Sequence, residues 1–143
     1  MKYVAKMFAS FVTVLIVLNF VANHRHAAGR RLLGSVGADK LIAFAGELGR
    51  SGAWDGSVGP LPTARWPKSF AGHGILEIKR YFNGIQIVLE RHGRRERGLY
   101  VTTDKAEVPE DGSGIVFEKL TDGIFSFEQK IRVPPTAPTS GAP

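Results

Sequence analysis

The sequence predicts an α+β protein: an N-terminal transmembrane helix, a short amphipathic helix, then a small antiparallel β-meander of about five strands. Three stretches carry that expectation. Met7 to Ala22 is an apolar run interrupted only by Ser10, Thr13 and Asn19. Ala38 to Gly49 sets Leu41, Ile42, Phe44, Ala45 and Leu48 at helical spacing. Ile75 to Arg91 holds two runs of β-forming residues joined by Asn83-Gly84, the strongest short-range hairpin signal.

Counted from Tyr3, with Lys6 free to snorkel, the apolar run reaches about 20 residues, enough for the roughly 30 Å of a bilayer core. It reads as an uncleaved anchor in preference to a signal peptide. Cutting after Ala22 would leave Phe20 at the third position before the cut, and cutting after Ala28 would leave His26 there; neither is small. Lys2 and Lys6 precede the span and Arg25, Arg30 and Arg31 follow it, so flanking charge is nearly balanced. The expected product is a single-pass membrane protein with its C-terminal domain outside the cytoplasm. The division is 1–22 anchor (or signal peptide), 23–37 basic linker without clear periodicity, 38–132 α+β domain, and 133–143 a disordered Pro/Thr tail.

In the helix, Asp39 lies near the start, Arg50 at the end, and Gly49 can cap it. Ser51 to Pro62 is a Gly- and Pro-rich loop. Trp66-Pro67-Lys68-Ser69-Phe70 reads as one helical turn presenting two aromatics to the sheet. A type I′ turn at Asn83-Gly84 would pair Phe82 with Ile85, Arg80 with Ile87, Ile78 with Leu89 and Leu76 with Arg91 on one mainly apolar face. The other face would carry Tyr81 with Gln86, Lys79 with Val88 and Glu77 with Glu90. His92 to Arg95 turns the chain into a third strand, Leu99 to Thr103. After a polar loop, Ile115 to Leu120 and Ile124 to Ile131 close a second hairpin. Its three-residue loop, with Gly123 left-handed, sets Phe117 opposite Phe127.

In the order of its elements, an apolar N-terminal helix joined to a β-meander, the chain resembles a type IV pilin or pseudopilin. That likeness implies a structural subunit assembling through its N-terminal helix. The family's leader-peptidase signal, a Gly followed by Phe and a Glu four residues after that Phe, is absent ahead of and within Met7 to Ala22. The Gly-containing linker also interrupts the continuous helix that pilins use.

The net charge of +6 invites a nucleic-acid reading until the charges are placed. Lys2, Lys6, Arg25, Arg30 and Arg31 lie within residues 1–34, which hold no acid, so the rest of the chain is close to neutral. Membrane-flanking cations say little about DNA or RNA, and no nucleic-acid partner is expected. The absence of cysteine excludes disulfides, Cys-ligated zinc and thiol chemistry. No cofactor is expected. His24 and His26 read as membrane-flanking polar residues without the carboxylate a metal site wants. Glu107, Glu110 and Asp111 form a solvated acidic loop without EF-hand spacing. Gly72-x-Gly74 and Gly112-x-Gly114 precede strands instead of opening helices, so they are turns. Arg80 falls on the apolar face, its stem on the core and its head reaching water at the sheet edge.

One binding site is singled out: Arg91, His92, Arg94, Arg95 and Arg97 crowd the second turn, with only Glu96 to offset them. It would contact anionic lipid or an acidic protein surface. The expected function is a non-enzymatic, membrane-anchored binding or assembly module, held by residues 3–22. Two alternatives remain, a small hydrolase using His73 and a pilin-like subunit.

Overall fold

The computed structural model describes residues 7, 10–18, 24, 26–50, 59–81, 83–103, 109, 112 and 114–131. Residues 10–18 are helical (α1), and their apolar side chains, including Phe11, Val14, Ile16 and Leu18, are exposed. Among the described residues no helix is long and apolar enough to cross a membrane. The rest of the expected span within 3–22, apart from Met7, lies outside the described residues, as does the tail 133–143.

The linker expected at 23–37 is corrected: Ala27–Val36 is a helix, α2. Its buried stripe is Gly29, Leu32 and Val36, with Ala28 and Leu33 partly buried beside it. Two of those five residues are small, and Arg30 and Arg31 interrupt the face, so its apolar period is weak in the sequence. Gly29 lets the helix lie close on the sheet, since a Cβ there would stand 2.8 Å from Leu99 Cδ2. Gly37, at φ 91°, is the single residue before the next helix, α3, Ala38–Arg50. Asp39 sits in its first turn and Arg50 in its last, and Leu41, Phe44, Ala45 and Leu48 are buried.

Five strands follow: β1 Glu77–Tyr81, β2 Gly84–His92, β3 Arg95–Thr102, β4 Ile115–Thr121 and β5 Ile124–Lys130. They form one antiparallel sheet in the order β1-β2-β3-β5-β4. Helices α2 and α3 cover one face over β2 and β3. There Leu32, Leu41, Phe44 and Leu48 meet Ile78, Ile85, Ile87, Leu99, Val101 and Ile124. Phe70 joins this core edge-on to Phe44 at 5.0 Å, from a short 3-10 turn after Pro67. Trp66 is half-buried, and its Nε1 donates to the Leu61 carbonyl at 3.1 Å. The opposite face is apolar too: Val88, Tyr100, Ile115, Phe125 and Phe127 are buried, with Tyr81 and Phe117 against them. Phe117 pairs with Phe127 as expected. The extra residue of that hairpin is Leu120, a bulge, before a turn at Asp122-Gly123 with Gly123 at φ 74°.

The β1–β2 hairpin departs from the expected register by two residues. Tyr81 pairs with Gly84, Arg80 with Ile85 and Ile78 with Ile87. Asn83 lies in the turn, and Gly84 is already strand. A slip of two does not by itself move a side chain to the other face, because strand side chains alternate with period two. Gly84 does not adopt a left-handed φ. Its role is close approach: a Cβ would stand 2.5 Å from the Val101 carbonyl oxygen and 2.6 Å from the Tyr100 ring.

A β-bulge sits between Val88 and Glu90, where Val88 opposes Gly98 and Glu90 opposes Arg97. The extra residue, Leu89, is buried under the helices, and Arg91 is rotated off that face onto the other. Leu76 and Arg91 therefore do not share a side of the sheet as the sequence suggested.

These contacts set where the chain can be cut. Removal of residues 1–24 keeps α2 whole and should leave the urea midpoint unchanged. Removal of 1–31 takes Ala28 and Gly29 from the core and should cost about 2 kcal/mol or more.

Candidate functional site

Both candidate regions lie at the end of the sheet where β2 turns into β3. Gly93 at φ 56° and Arg94 make that turn, and His92 pairs with Arg95. The five residues expected to form one basic patch are distributed over two faces. Arg91, on the face away from the helices, binds Glu77 at 2.8 Å and Glu96 at 2.5 Å. Lys79 reaches the same Glu96 at 2.6 Å. Burial of Glu96, 4% exposed, works against its ionisation, yet the hydrogen bonds from Lys79 and Arg91 outweigh it and hold its pKa below the ordinary carboxylate value. The hydrogen bond to Glu96 raises Arg91 in turn. On the helix-covered face, Glu128 of β5 takes Arg95 at 3.1 Å and Arg97 at 2.8 Å. His92 and Arg94 are exposed at the tip.

Counting charges along the sequence found Glu96 alone as an offset. The sheet supplies Glu77 from β1 and Glu128 from β5, far away in the chain and adjacent in space. Strand pairing was the missing signal.

Among the other residues singled out, His26 turns its Nε2 to Glu118 on β4, and Arg30 lies 3.9 Å from the same carboxylate. His24 is exposed. Arg80 is half-buried on the outer strand, where its N–H donates to the Gly59 carbonyl at 3.2 Å. Glu107, Glu110 and Asp111 lie outside the described residues. Gly114, at φ 90°, accepts from Lys130 N–H and leads into β4 as a turn.

His73 gains a partner that the sequence did not offer. Ser69, its neighbour in the chain, is not it: Ser35 Oγ, on the last turn of α2, lies 3.3 Å from His73 Nδ1. The two sit in a cleft of about 560 Å³ lined by Arg31, Leu32, Ser35, His73, Leu89 and Glu90. Ser35 Oγ also lies 2.9 Å from the Arg31 carbonyl and 3.1 Å from that of Leu32. Ser35 has one hydroxyl hydrogen and three acceptors within reach, the two helix carbonyls and His73 Nδ1, so the carbonyls compete with the histidine for it. A resemblance search finds no family model that matches the chain and no matching curated protein or solved structure.

Proposed function

We propose that this protein is a non-enzymatic binding module held at a membrane by residues 3–22, with the α+β domain outside the cytoplasm. One observation carries the reading: α1 is apolar and joins neither core. Phe11, Ile16 and Leu18 are about three-fifths exposed, at 63%, 63% and 59%. Among the described residues, both hydrophobic clusters are built from residues that follow it. A helix that leaves this much apolar surface exposed needs lipid or a partner to cover it. Only eight residues separate Leu18 from Ala27, so the domain would ride close to the surface. The hydrolase alternative has against it the Arg31 and Leu32 carbonyls, which compete with His73 for the Ser35 hydroxyl hydrogen, and the pilin-like alternative has Gly37, which ends α2.

Vesicle flotation tests the reading. The full chain should float with vesicles of zwitterionic lipid at low and at moderate salt, and removal of residues 1–24 should abolish flotation. If the shortened protein still floats with anionic vesicles in a salt-sensitive way, exposed Arg94 and His92 hold the membrane and the apolar segment does not. If the full chain fails to float, the anchor reading falls.

A further inference from the structure

The cleft beside His73 has a charge arrangement that the membrane reading does not use. One stripe of α2, formed by Ala28, Arg31, Leu32 and Ser35, makes its first side. Gly72 to Gly74 and the bulge residues Leu89 and Glu90 make the second. Its volume, about 560 Å³, falls among those of small-molecule sites. Buried Leu32 and Leu89 give it an apolar floor.

Among the described residues Arg31, on the helix side, forms no ion pair; its Nε donates to the Ala27 carbonyl at 3.4 Å. Glu90, on the sheet side, forms none among the described residues either, and Arg97 opposite it on β3 is held by Glu128. His73 lines the same side, with its Nδ1 3.3 Å from Ser35 Oγ. The cleft thus has a cation on one rim, a carboxylate on the other, and aliphatic surface between. A purely anionic ligand would face Glu90, and a purely cationic one would face Arg31; each meets its own sign.

We propose that this cleft binds a small apolar zwitterion, an aliphatic amino acid or a short apolar peptide. Its carboxylate lies on Arg31, its ammonium on Glu90 beside His73, and its side chain over Leu32 and Leu89. The proposal goes beyond the membrane reading and makes no use of the anchor, so flotation and ligand binding can fail separately.

The test is titration of the full chain in detergent micelles with leucine and with the dipeptide Leu-Leu. Calorimetry would be followed alongside the NMR signals of labelled histidine side chains. The expected result is saturable binding that moves the His73 signals and leaves those of His92 in place. The tighter of the two ligands identifies the source as amino acid or peptide. Leucine amide, without a carboxylate, and 4-methylpentanoate, without an ammonium, should bind at least about tenfold more weakly. Glu90→Gln should erase the discrimination against 4-methylpentanoate, and Arg31→Gln that against leucine amide, with unchanged circular dichroism in both. Absence of a His73 shift at about 10 mM of either ligand would overturn the proposal. Equal binding of leucine, its amide and 4-methylpentanoate would overturn it as well.

Discussion

Gly98→Ala should destabilise the domain by about 3 kcal/mol, the largest effect expected of any single methyl group in this chain. At Gly98 an added Cβ would run into the Ile87 carbonyl oxygen, and it would lie 2.9 Å from the Ile87 carbonyl carbon and 3.1 Å from Val88 Cα. All three are backbone atoms, so no rotamer change can clear them. The strands would have to part at the bulge, loosening Val88 on one face and Leu99 on the other. Helix α2 would feel the movement, because Gly29 rests on Leu99 and on the Gly98 carbonyl. Urea denaturation measures this as a lower midpoint with an unchanged slope. Gly46→Ala is the matched control. A Cβ there meets nothing within 4 Å, in the interior of α3, and should stabilise by up to about 1 kcal/mol. A Gly98→Ala midpoint equal to the parent's would mean that β2 and β3 do not meet in this register.

Glu96→Ala should cost about 3 kcal/mol at neutral pH, because it leaves Lys79 and Arg91 facing each other without their shared carboxylate. Arg91 is 45% exposed and can turn to water, which keeps the loss at the low end for a broken buried pair. The pH dependence has a definite sign. Glu96 has a lower pKa folded than unfolded, so its contribution is full above the unfolded value, about 4.3, and is lost as pH falls through the folded one. The gap in stability between parent and variant should therefore be constant from neutral pH down to about 5 and narrow below about 4.3. A gap that stayed constant to pH 2 would show that Glu96 is not ionised in the folded protein.

Helix α3 was legible almost to the residue, because its apolar spacing and its terminal charges agree. Strands β2, β4 and β5 were legible for a similar reason, and the Phe117–Phe127 pair followed from the position of Gly123. The β1–β2 register was not. A two-residue slip changes no face, so the alternation that reveals a strand is blind to it. Gly84 compounded the error, since a glycine chosen for contact with Tyr100 looks in sequence like one chosen for a turn. Helix α2 was hidden by small residues whose value lies in closeness to the sheet. At the candidate cleft, His73 was visible as a residue of interest, but Ser35 lies 38 positions away and Glu90 owes its position to the bulge. A bulge leaves no periodic trace of its own.

The strand order also imposes a schedule. β5 is synthesised last but lies inside the sheet, between β3 and β4. Until Ile124 to Lys130 has left the ribosome, β3 keeps an open row of backbone groups from Arg95 to Val101, and β4 lacks the one strand it pairs with. Thr102, too, waits for the Gly123 carbonyl that its N–H donates to at 2.9 Å. A stop codon just before Ile124 therefore gives no four-stranded version of this fold. It gives a three-stranded sheet with an adhesive rim and a loose strand beside it, a substrate for chaperones and proteases.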